Sequence, residues 1–363
     1  MIMIIVRTVV KELIGAIKMS NLDVILKDLN KKMKIGNIQL GVDFQDVDKI
    51  PFSSCRLNYM THGGLPVGRI AEFSGAEGSG KTTTALDVAG QCQKKFPDKK
   101  VMFVDIESTF NSGWAEKMGV DIDNIILFRP DSQGAEDVFQ TLLEIMNTGD
   151  ISLVILDSIG AMVSGLANEK DMTEKTYGGI SQSLTLFSKK ATPVCARTNC
   201  TFIGINQIRD DMNSMYGGTV TTGGRAWKHA CTTRLSFRHG NFIDEKGTVL
   251  SRACENPRGQ LVQVHLDKSK VCPPDRKTGF YTLMYMTGID YVSDAFDVAV
   301  KFGIIQQSGS WFRLVDVETG EIMSVQNSEI KVQGKSSFVK LLKEEPDLYK
   351  YVLESIEKCD IPT

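Results

Sequence analysis

The sequence has 363 residues, of which 42% are hydrophobic and 24% are charged. These values are typical of globular domains and exclude both wholesale disorder and a membrane protein. Lysine and arginine total 42 against 44 acidic residues, a formal net charge of -2, so any nucleic-acid site has to be local. The eight cysteines form no CxxC pair or Cys/His ladder, and we therefore expect reduced thiols in a cytoplasmic protein without a structural metal.

The N-terminal region is predicted to contain one short helix. Residues 1–18 begin with an apolar run that is too short to span a bilayer, and they are interpreted either as an amphipathic extension or as an upstream translation start. From Leu22 to Met33 apolar residues recur at helical spacing. This amphipathic helix belongs to a segment, 19–54, whose partner is either the chain's own core or a neighbouring subunit in an oligomer.

The central region, 55–288, alternates short apolar runs with longer helical stretches. Continuous apolar runs such as LVIL and VMFV indicate parallel strands covered on both faces. The predicted fold is therefore α/β with a mainly parallel sheet, and antiparallel strands are expected late in the region where helices become sparse. The predicted strands are Ile70–Phe73, Val101–Val104, Ile125–Phe128, Leu153–Leu156, Thr201–Ile205, Thr233–Phe237, Leu261–Leu266 and Tyr281–Met286.

The C-terminal region, 289–363, is predicted to be a small α/β domain. It contains a helical stretch, a hairpin-like piece around SWFRLVDVETGEIMSV, and a final helical stretch that Pro346 divides into two helices.

A nucleotide site is predicted directly after the first of these strands. The run GAEGSGKT matches GxxxxGK[ST] between a strand and a helix, which is the context of a P-loop. Its backbone N–H groups would wrap phosphates, Lys81 would contact the β- and γ-phosphates, and the Thr82 hydroxyl would bind Mg²⁺. The predicted nucleotide-binding residues are Gly75, Ala76, Glu77, Gly78, Ser79, Gly80, Lys81, Thr82 and Thr83.

Two further strands end in carboxylates suited to the same site. Asp157 follows LVIL and is a candidate Mg²⁺ ligand, although a carboxylate there could instead cap the next helix. Glu107 and Asp105 follow VMFV, and both lie on one face if the strand continues. Glu107 is the preferred base for orienting the attacking water because it is nearer the carboxyl end of the strand.

These motifs in this order resemble the bacterial RecA family. The resemblance extends from about Asn21 to the C-terminal helices through GGLPVGRIAEFSGAEGSGKTT, MGVDIDNI, RPDS, FIGINQIR, GGRAWKHACTTRLSF and LDKSKVCPP. It implies an ATP-driven recombinase that forms helical filaments on single-stranded DNA, pairs it with duplex DNA and exchanges strands in recombination, repair and the SOS response.

The resemblance also implies roles for residues whose chemistry alone is ambiguous. It makes Gln207 a sensor of the γ-phosphate and Lys268 and Lys270 cations that reach a neighbouring subunit's ATP, whereas the residues alone would suggest a polar turn and solvated loop lysines. Trp114 takes the place of an adenine-stacking tyrosine, and Asn111 takes the place of an aspartate near the base.

Two glycine-containing polar stretches, 168–179 and 210–224, resemble the DNA-binding loops of the family. Aromatic and apolar side chains there could stack on bases, and basic residues and backbone amides could hold phosphates. The candidates are Tyr177, Gly178, Arg209, Met212, Tyr216, Gly223, Gly224, Arg225 and Lys228. The second stretch carries Asp210 and Asp211 where a basic residue would help to hold DNA, and His229 stands where the family commonly has an interface phenylalanine.

Two other interpretations of a RecA-type core remain. One is a ring helicase, which the N-terminal helix and small C-terminal domain disfavour. The other is a DNA scaffold that uses ATP only as a conformational ligand, which the presence of Lys81, Glu107 and Asp157 disfavours.

Overall fold

The computed structural model describes residues 47–131, 133–165, 179–210, 219–244, 248–250, 255–325 and 328–360, together with Lys31. The chain divides into the units Met1–Val47 and Asp48–Thr363. The predicted extension 1–18 and, apart from Lys31, the predicted helix at Leu22–Met33 lie outside the described residues.

The second unit contains seventeen described strands and nine described α-helices. The strands are β1 (Lys49–Ile50), β2 (Leu65–Pro66), β3 (Ile70–Gly75), β4 (Lys100–Asp105), β5 (Ile125–Phe128), β6 (Ile151–Asp157), β7 (Thr201–Asp210), β8 (Thr219–Thr221), β9 (Thr233–Ile243), β10 (Gly259–Ser269), β11 (Thr278–Met284), β12 (Gly288–Ile289), β13 (Ile305–Ser308), β14 (Trp311–Leu314), β15 (Ser324–Val325), β16 (Ser328–Glu329) and β17 (Lys331–Gln333). The helices are α1 (Cys55–Thr61), α2 (Lys81–Lys95), α3 (Ser112–Lys117), α4 (Ala135–Thr148), α5 (Gly179–Thr198), α6 (Gly224–Ala230), α7 (Tyr291–Lys301), α8 (Lys335–Glu344) and α9 (Pro346–Asp360).

A ten-stranded sheet forms the centre of this unit. Its order is β12-β11-β10-β9-β3-β7-β6-β4-β5, and β8 pairs with β7. Six neighbouring strands run parallel to one another, in the sheet order β9, β3, β7, β6, β4 and β5. Strands β10, β11 and β12 continue the sheet antiparallel from β9. The predicted α/β fold with a mainly parallel sheet is confirmed. Each of the eight predicted runs lies on a strand, although β11 ends at Met284, two residues before the end of the predicted run.

The central parallel strands are apolar because helices cover both of their faces, whereas the edge strand β5 is partly exposed. All seven residues of β6 are buried, and its side chains alternate between the two hydrophobic layers. Leu153 and Ile155 point into the layer that contains the apolar face of α2. Val154 and Leu156 point into the layer that contains α4 and α5, where the Phe139 and Phe187 rings stack with centroids 4.5 Å apart.

The residues after Ile289 pack around a third hydrophobic cluster. Helices α7, α8 and α9 and the three-stranded sheet β13-β14-β17 contribute to it, with Phe296, Phe312 and Phe338 in mutual contact at its centre. Helix α8 ends at Glu344 and α9 begins at Pro346, as predicted from the proline. The predicted boundary between 288 and 289 stays a prediction, because Asp48–Thr363 forms one compact unit.

Within the described ranges no helix is long and apolar enough to cross a membrane. The same ranges contain no group of three or more His, Cys, Asp or Glu side chains that could hold a metal ion.

Candidate nucleotide site

The P-loop lies between β3 and α2, at the carboxyl edge of the parallel sheet. Gly80 precedes the helix with a φ of +96°, a left-handed conformation that favours glycine. A Cβ at Gly80 would also lie 3.0 Å from the Tyr281 hydroxyl and from Val262. The turn therefore requires glycine here both for its backbone conformation and for its close approach to β10 and β11.

Lys81 is almost fully buried, and its Nζ donates a hydrogen bond to the Ala76 carbonyl at 2.7 Å. The Ser79 hydroxyl donates to the same carbonyl, also at 2.7 Å. Burial lowers the pKa of Lys81, and the nearby carboxylates of Asp157, Glu107 and Glu77 oppose that shift. A cation in a curled loop of backbone amides at a helix N-terminus is a donor set suited to phosphate groups.

Thr82 and Asp157 meet across the sheet edge. The Thr82 hydroxyl donates a 2.6 Å hydrogen bond to Asp157 Oδ2. Burial raises the pKa of Asp157 to about 6, the bond from Thr82 lowers it, and the Glu107 charge raises it. A hydroxyl and a carboxylate at the end of a buried strand are the hard oxygen ligands that Mg²⁺ prefers beside a P-loop. These two residues therefore fit the predicted metal role.

The structure separates Glu107 from Asp105. Asp105 is buried and accepts hydrogen bonds from the Thr109 and Phe110 backbone N–H groups at 2.9 and 3.2 Å and from Arg129 Nε at 3.0 Å. It thus closes the turn that follows β4. Glu107 lies on that turn and is exposed. This difference agrees with the preference for Glu107 over Asp105, and the role of Glu107 toward the nucleotide stays a prediction.

Glu107 is joined to Gln207 and Ser158 by its side chain. Glu107 Oε1 accepts hydrogen bonds from Ser158 Oγ at 2.5 Å and from Gln207 Nε2 at 2.9 Å. In the sheet, Gln207 is the register partner of Gly75, the first residue of the P-loop. The residues that follow β4 and β6 are therefore linked to a residue inside β7, at the point where the parallel pairing of β7 with β3 ends. Ser158 escaped the sequence analysis, although it directly follows Asp157 at the same edge.

The predicted base-binding residues lie on and before α3. Asn111 caps this helix, and its Oδ1 accepts from the Trp114 backbone N–H at 2.9 Å. Trp114 Nε1 lies 3.4 Å from the Thr83 hydroxyl on α2. The structure brings the indole close to the P-loop helix, and the roles of both residues toward an adenine stay predictions.

Lys268 and Lys270 meet at the C-terminal end of α6. Lys268 Nζ donates to the Lys228 and His229 carbonyls at 2.6 and 3.2 Å, and Lys270 Nζ donates to the His229 carbonyl at 2.8 Å. Cations stabilise the partial negative charge at a helix C-terminus. The paired lysines are thus brought together within one chain, and their predicted reach to a neighbouring subunit stays a prediction.

The candidate DNA-binding residues are only partly described. Tyr177, Gly178, Met212 and Tyr216 lie outside the described residues. The others lie at α6 or on β7. Gly223 caps α6, Gly224 begins it, Arg225 is exposed in its first turn and Lys228 is in its last turn. On β7, Arg209 Nη2 approaches the Gly160 carbonyl at 3.4 Å.

One contact to the P-loop was missed from the sequence. Gln260 Nε2 donates a 2.8 Å hydrogen bond to the Gly78 carbonyl, and Tyr285 Oη donates to Gln260 Oε1 at 3.1 Å. Gln260 shares the buried face of β10 with Val262 and Val264. The sequence does hint at this contact, because Gln260 takes a position in the alternation that is otherwise apolar and buried. A buried amide requires hydrogen-bond partners.

A GxxxxGK[ST] turn between a buried parallel strand and a helix, with a carboxylate at the end of a neighbouring strand, defines a P-loop nucleotide-binding protein of the α/β class. The family model of the RecA N-terminal domain matches residues 20–290. The chain is 32% identical to Protein RecA of Ruminococcus albus over 327 residues (90% of this chain, 75% of that protein) and 32% identical to Protein RecA of Aquifex pyrophilus over 345 residues (94% and 91%). It is 31% identical to Protein RecA of Paracoccus denitrificans over 347 residues (94% and 90%). The chain therefore belongs to the RecA family, and its function is that of a recombinase in DNA recombination and repair.

Proposed function

We propose that this chain is a DNA-dependent ATPase that binds ATP with Mg²⁺, assembles as a helical filament on single-stranded DNA, and catalyses homologous pairing and strand exchange with duplex DNA. The observation that carries this proposal is the 2.9 Å hydrogen bond between Gln207 and Glu107. It joins a predicted catalytic carboxylate to a strand that leads into a candidate DNA loop, so one contact connects hydrolysis with DNA binding.

The proposed hydrolysis uses groups at three strand ends. Lys81 and the amides of the P-loop hold the phosphates, and Thr82 and Asp157 are the residues that would hold Mg²⁺. The metal ion, when bound, neutralises charge on the phosphate oxygens. Glu107, which is exposed at the sheet edge, accepts a hydrogen bond from the attacking water and orients it toward the γ-phosphate.

The proposed coupling runs through Gln207. Its amide hydrogen-bonds Glu107, so a phosphate that attracts the amide would also change the environment of the carboxylate. The next residues of β7 pair antiparallel with β8, as Ile208 with Thr221 and Arg209 with Val220. A shift of Gln207 would therefore move both sides of the stem that carries the segment 211–218.

The proposed DNA grip is independent of sequence. Arg225 and Lys228 on α6 and Arg209 on β7 supply cations for phosphates, and the exposed Gly224 at the start of α6 would offer its backbone amide. Tyr177, Gly178, Met212 and Tyr216 complete the proposed site with surfaces for bases. Homology would then be recognised by base pairing between strands, with the protein holding the backbones.

The filament proposal assigns the remaining segments. Residues 19–54 would contact a neighbouring subunit, and 289–363 would form a small accessory domain. Lys268 and Lys270 would act as trans cations that stabilise charge on a neighbour's transferred phosphoryl group. The proposed location of this assembly is the cytoplasm.

The direct test measures ATP hydrolysis with and without single-stranded DNA, and joint-molecule formation between a single strand and a homologous supercoiled duplex. We expect DNA to stimulate hydrolysis and joint molecules to form only with ATP and homology. Unstimulated hydrolysis without joint molecules would contradict the proposal. Rings in negative stain together with strand unwinding would favour the helicase, and DNA binding without ATP turnover would favour the scaffold.

A further inference from the structure

The buried carboxylate of Glu72 lies at the centre of a polar network outside the nucleotide site. Glu72 is fully buried in the middle of β3. Its Oε1 accepts hydrogen bonds from Asn206 Nδ2 and Trp227 Nε1, both at 2.9 Å, and its Oε2 accepts from Arg234 Nε at 2.5 Å. A buried charge is costly unless it is paired and hydrogen-bonded. The carboxylate of Glu72 therefore fixes the positions of the three groups that donate to it.

Each donor comes from a different element. Asn206 is on β7, Trp227 is on α6 and Arg234 is on β9, where it is the register partner of Glu72. Strand β3 itself leads into the P-loop three residues later. The network therefore fixes α6 and the two flanking strands to the strand that positions the phosphate-binding turn.

Asn206 connects this network to the stem of the second candidate DNA loop. Its Nδ2 donates to the Thr222 carbonyl at 2.8 Å as well as to Glu72. Thr222 lies between β8 and α6, and Asn206 directly precedes Gln207. The Asn206 amide thus connects the end of that loop to β7, directly before Gln207, the proposed phosphate sensor.

Trp227 holds α6 in place by shape as well as by its N–H. A Cβ at Gly204 on β7 would lie 2.8 Å from Trp227 Cζ2, and a Cβ at Gly223 would lie 3.1 Å from Trp227 Cβ. The indole therefore packs closely against both β7 and the turn that enters α6. Helix α6 also carries Arg225 and Lys228, so its position sets where these cations lie.

Two buried polar atoms lie at this junction without a hydrogen-bond partner in the described part of the chain. Asn206 Oδ1 and Thr221 Oγ1 lack a hydrogen bond among the described residues. An unsatisfied buried group is unfavourable, and one of these is an acceptor while the other is a hydroxyl that can donate. These two groups could therefore form hydrogen bonds in a second arrangement of this end of the network.

We propose that Glu72, Asn206 and Trp227 are positioning residues that transmit the state of the second DNA loop to Gln207. They touch neither nucleotide nor DNA in this assignment. They set the relative position of β7, α6 and the strand before the P-loop. The inference rests on the proposed function, since it explains how DNA binding stimulates ATP hydrolysis.

The test is Trp227→Phe, which removes the indole N–H from Glu72. We expect the ratio of DNA-stimulated to basal ATP hydrolysis to fall about tenfold, the kinetic equivalent of one hydrogen bond to a charged group, with the basal rate and nucleotide affinity kept. Phe202→Leu is the matched control, because Phe202 packs edge-on against Trp227 and makes no bond to Glu72. It should keep the ratio.

The outcomes separate this inference from the proposed function. If the wild-type protein shows no DNA stimulation, the proposed function fails. If the wild type is stimulated and Trp227→Phe keeps the full ratio, or if Phe202→Leu lowers the ratio equally, the positioning role is wrong. Glu72→Gln should give a larger loss than Trp227→Phe, and if it does not fold, Trp227→Phe alone decides.

Discussion

The nucleotide edge of the sheet and the region around α6 place their proposed functional groups differently. At the nucleotide edge, side chains proposed to act on the nucleotide bond to one another, as Glu107 does with Gln207. On α6, the proposed phosphate contact Arg225 is exposed, and the helix that carries it is held from its buried side by the hydrogen bond from Trp227 to Glu72. Function at the first region therefore depends on the chemistry of the acting side chains, whereas function at the second depends more on the position of the helix.

This contrast predicts that substitutions at the nucleotide edge have the larger effects. Glu107→Gln keeps the shape of the side chain and removes the carboxylate that would orient water. We expect ATP hydrolysis to fall by about a hundredfold to ten-thousandfold, while ATP binding, measured by a fluorescent analogue, is retained. Glu116→Gln, on the exposed side of α3, is the control for loss of one negative charge. Normal ATP hydrolysis by the Glu107→Gln variant would show that another group orients the water.

Lys81→Met tests the other side of the same edge. It keeps the buried stem and removes the ammonium group that lies in the P-loop. The expected loss in hydrolysis is about a hundredfold to a thousandfold, as for removal of one preorganised charge, and nucleotide affinity should fall with it. Lys94→Ala, exposed in the last turn of the same helix, should leave both quantities intact. Equal losses in the two variants would point to the helix and not to the phosphate contact.

The sequence predicted the strands well, but it was less informative about the contacts and roles of polar side chains. Runs such as LVIL predicted β6 correctly because a strand buried on both faces has to be apolar. Alternation could not separate Asp105 from Glu107, since both were placed on one face, and only the turn closed by Asp105 resolves their positions. The role of Gln207 came from the family resemblance, because a strand-end amide could as well have satisfied a turn.

The contacts that escaped prediction are long-range ones made by polar side chains. Glu72 lies 134 residues before Asn206 in the chain, and Gln260 lies 182 residues after Gly78. Neither pairing has a local spacing that would reveal it. The position of Gln260 in a buried alternation indicated that a partner was needed, and only the sheet order determined which partner.

The helix that begins at the P-loop has its own buried anchor, which gives a prediction of intermediate size. Asp87 on α2 accepts a 3.0 Å hydrogen bond from the Ser53 backbone N–H and a second bond from the Ser53 hydroxyl. Burial raises its pKa from 3.8 to about 6, although the bonds from Ser53 lower it. Between these pH values the folded protein keeps a proton that the unfolded chain has released.

The sign of the effect follows from that difference. The stabilisation from protonated Asp87 is fully present below the unfolded pKa and is lost as pH rises through about 6. Asp87→Asn imitates the protonated form, so we expect it to match the wild type near pH 4 and to be more stable above pH 6 by up to about 3 kcal/mol. Urea unfolding at a series of pH values measures this difference. A difference that is constant across the series would contradict it.

The smallest expected effect is at Arg225, on the α6 side of the comparison. Arg225 is exposed in the first turn of α6. As a proposed phosphate contact, it would release about one counterion from the DNA on binding. Arg225→Ala should weaken single-stranded DNA binding about threefold to tenfold for every sequence tested and reduce the slope of log K against log salt by about 1. Lys189→Ala, exposed on α5, removes a positive charge away from α6 and should leave the slope unchanged. Because backbone amides share the proposed grip, a much larger loss at Arg225 would show that the α6 side, like the nucleotide edge, depends on single side chains.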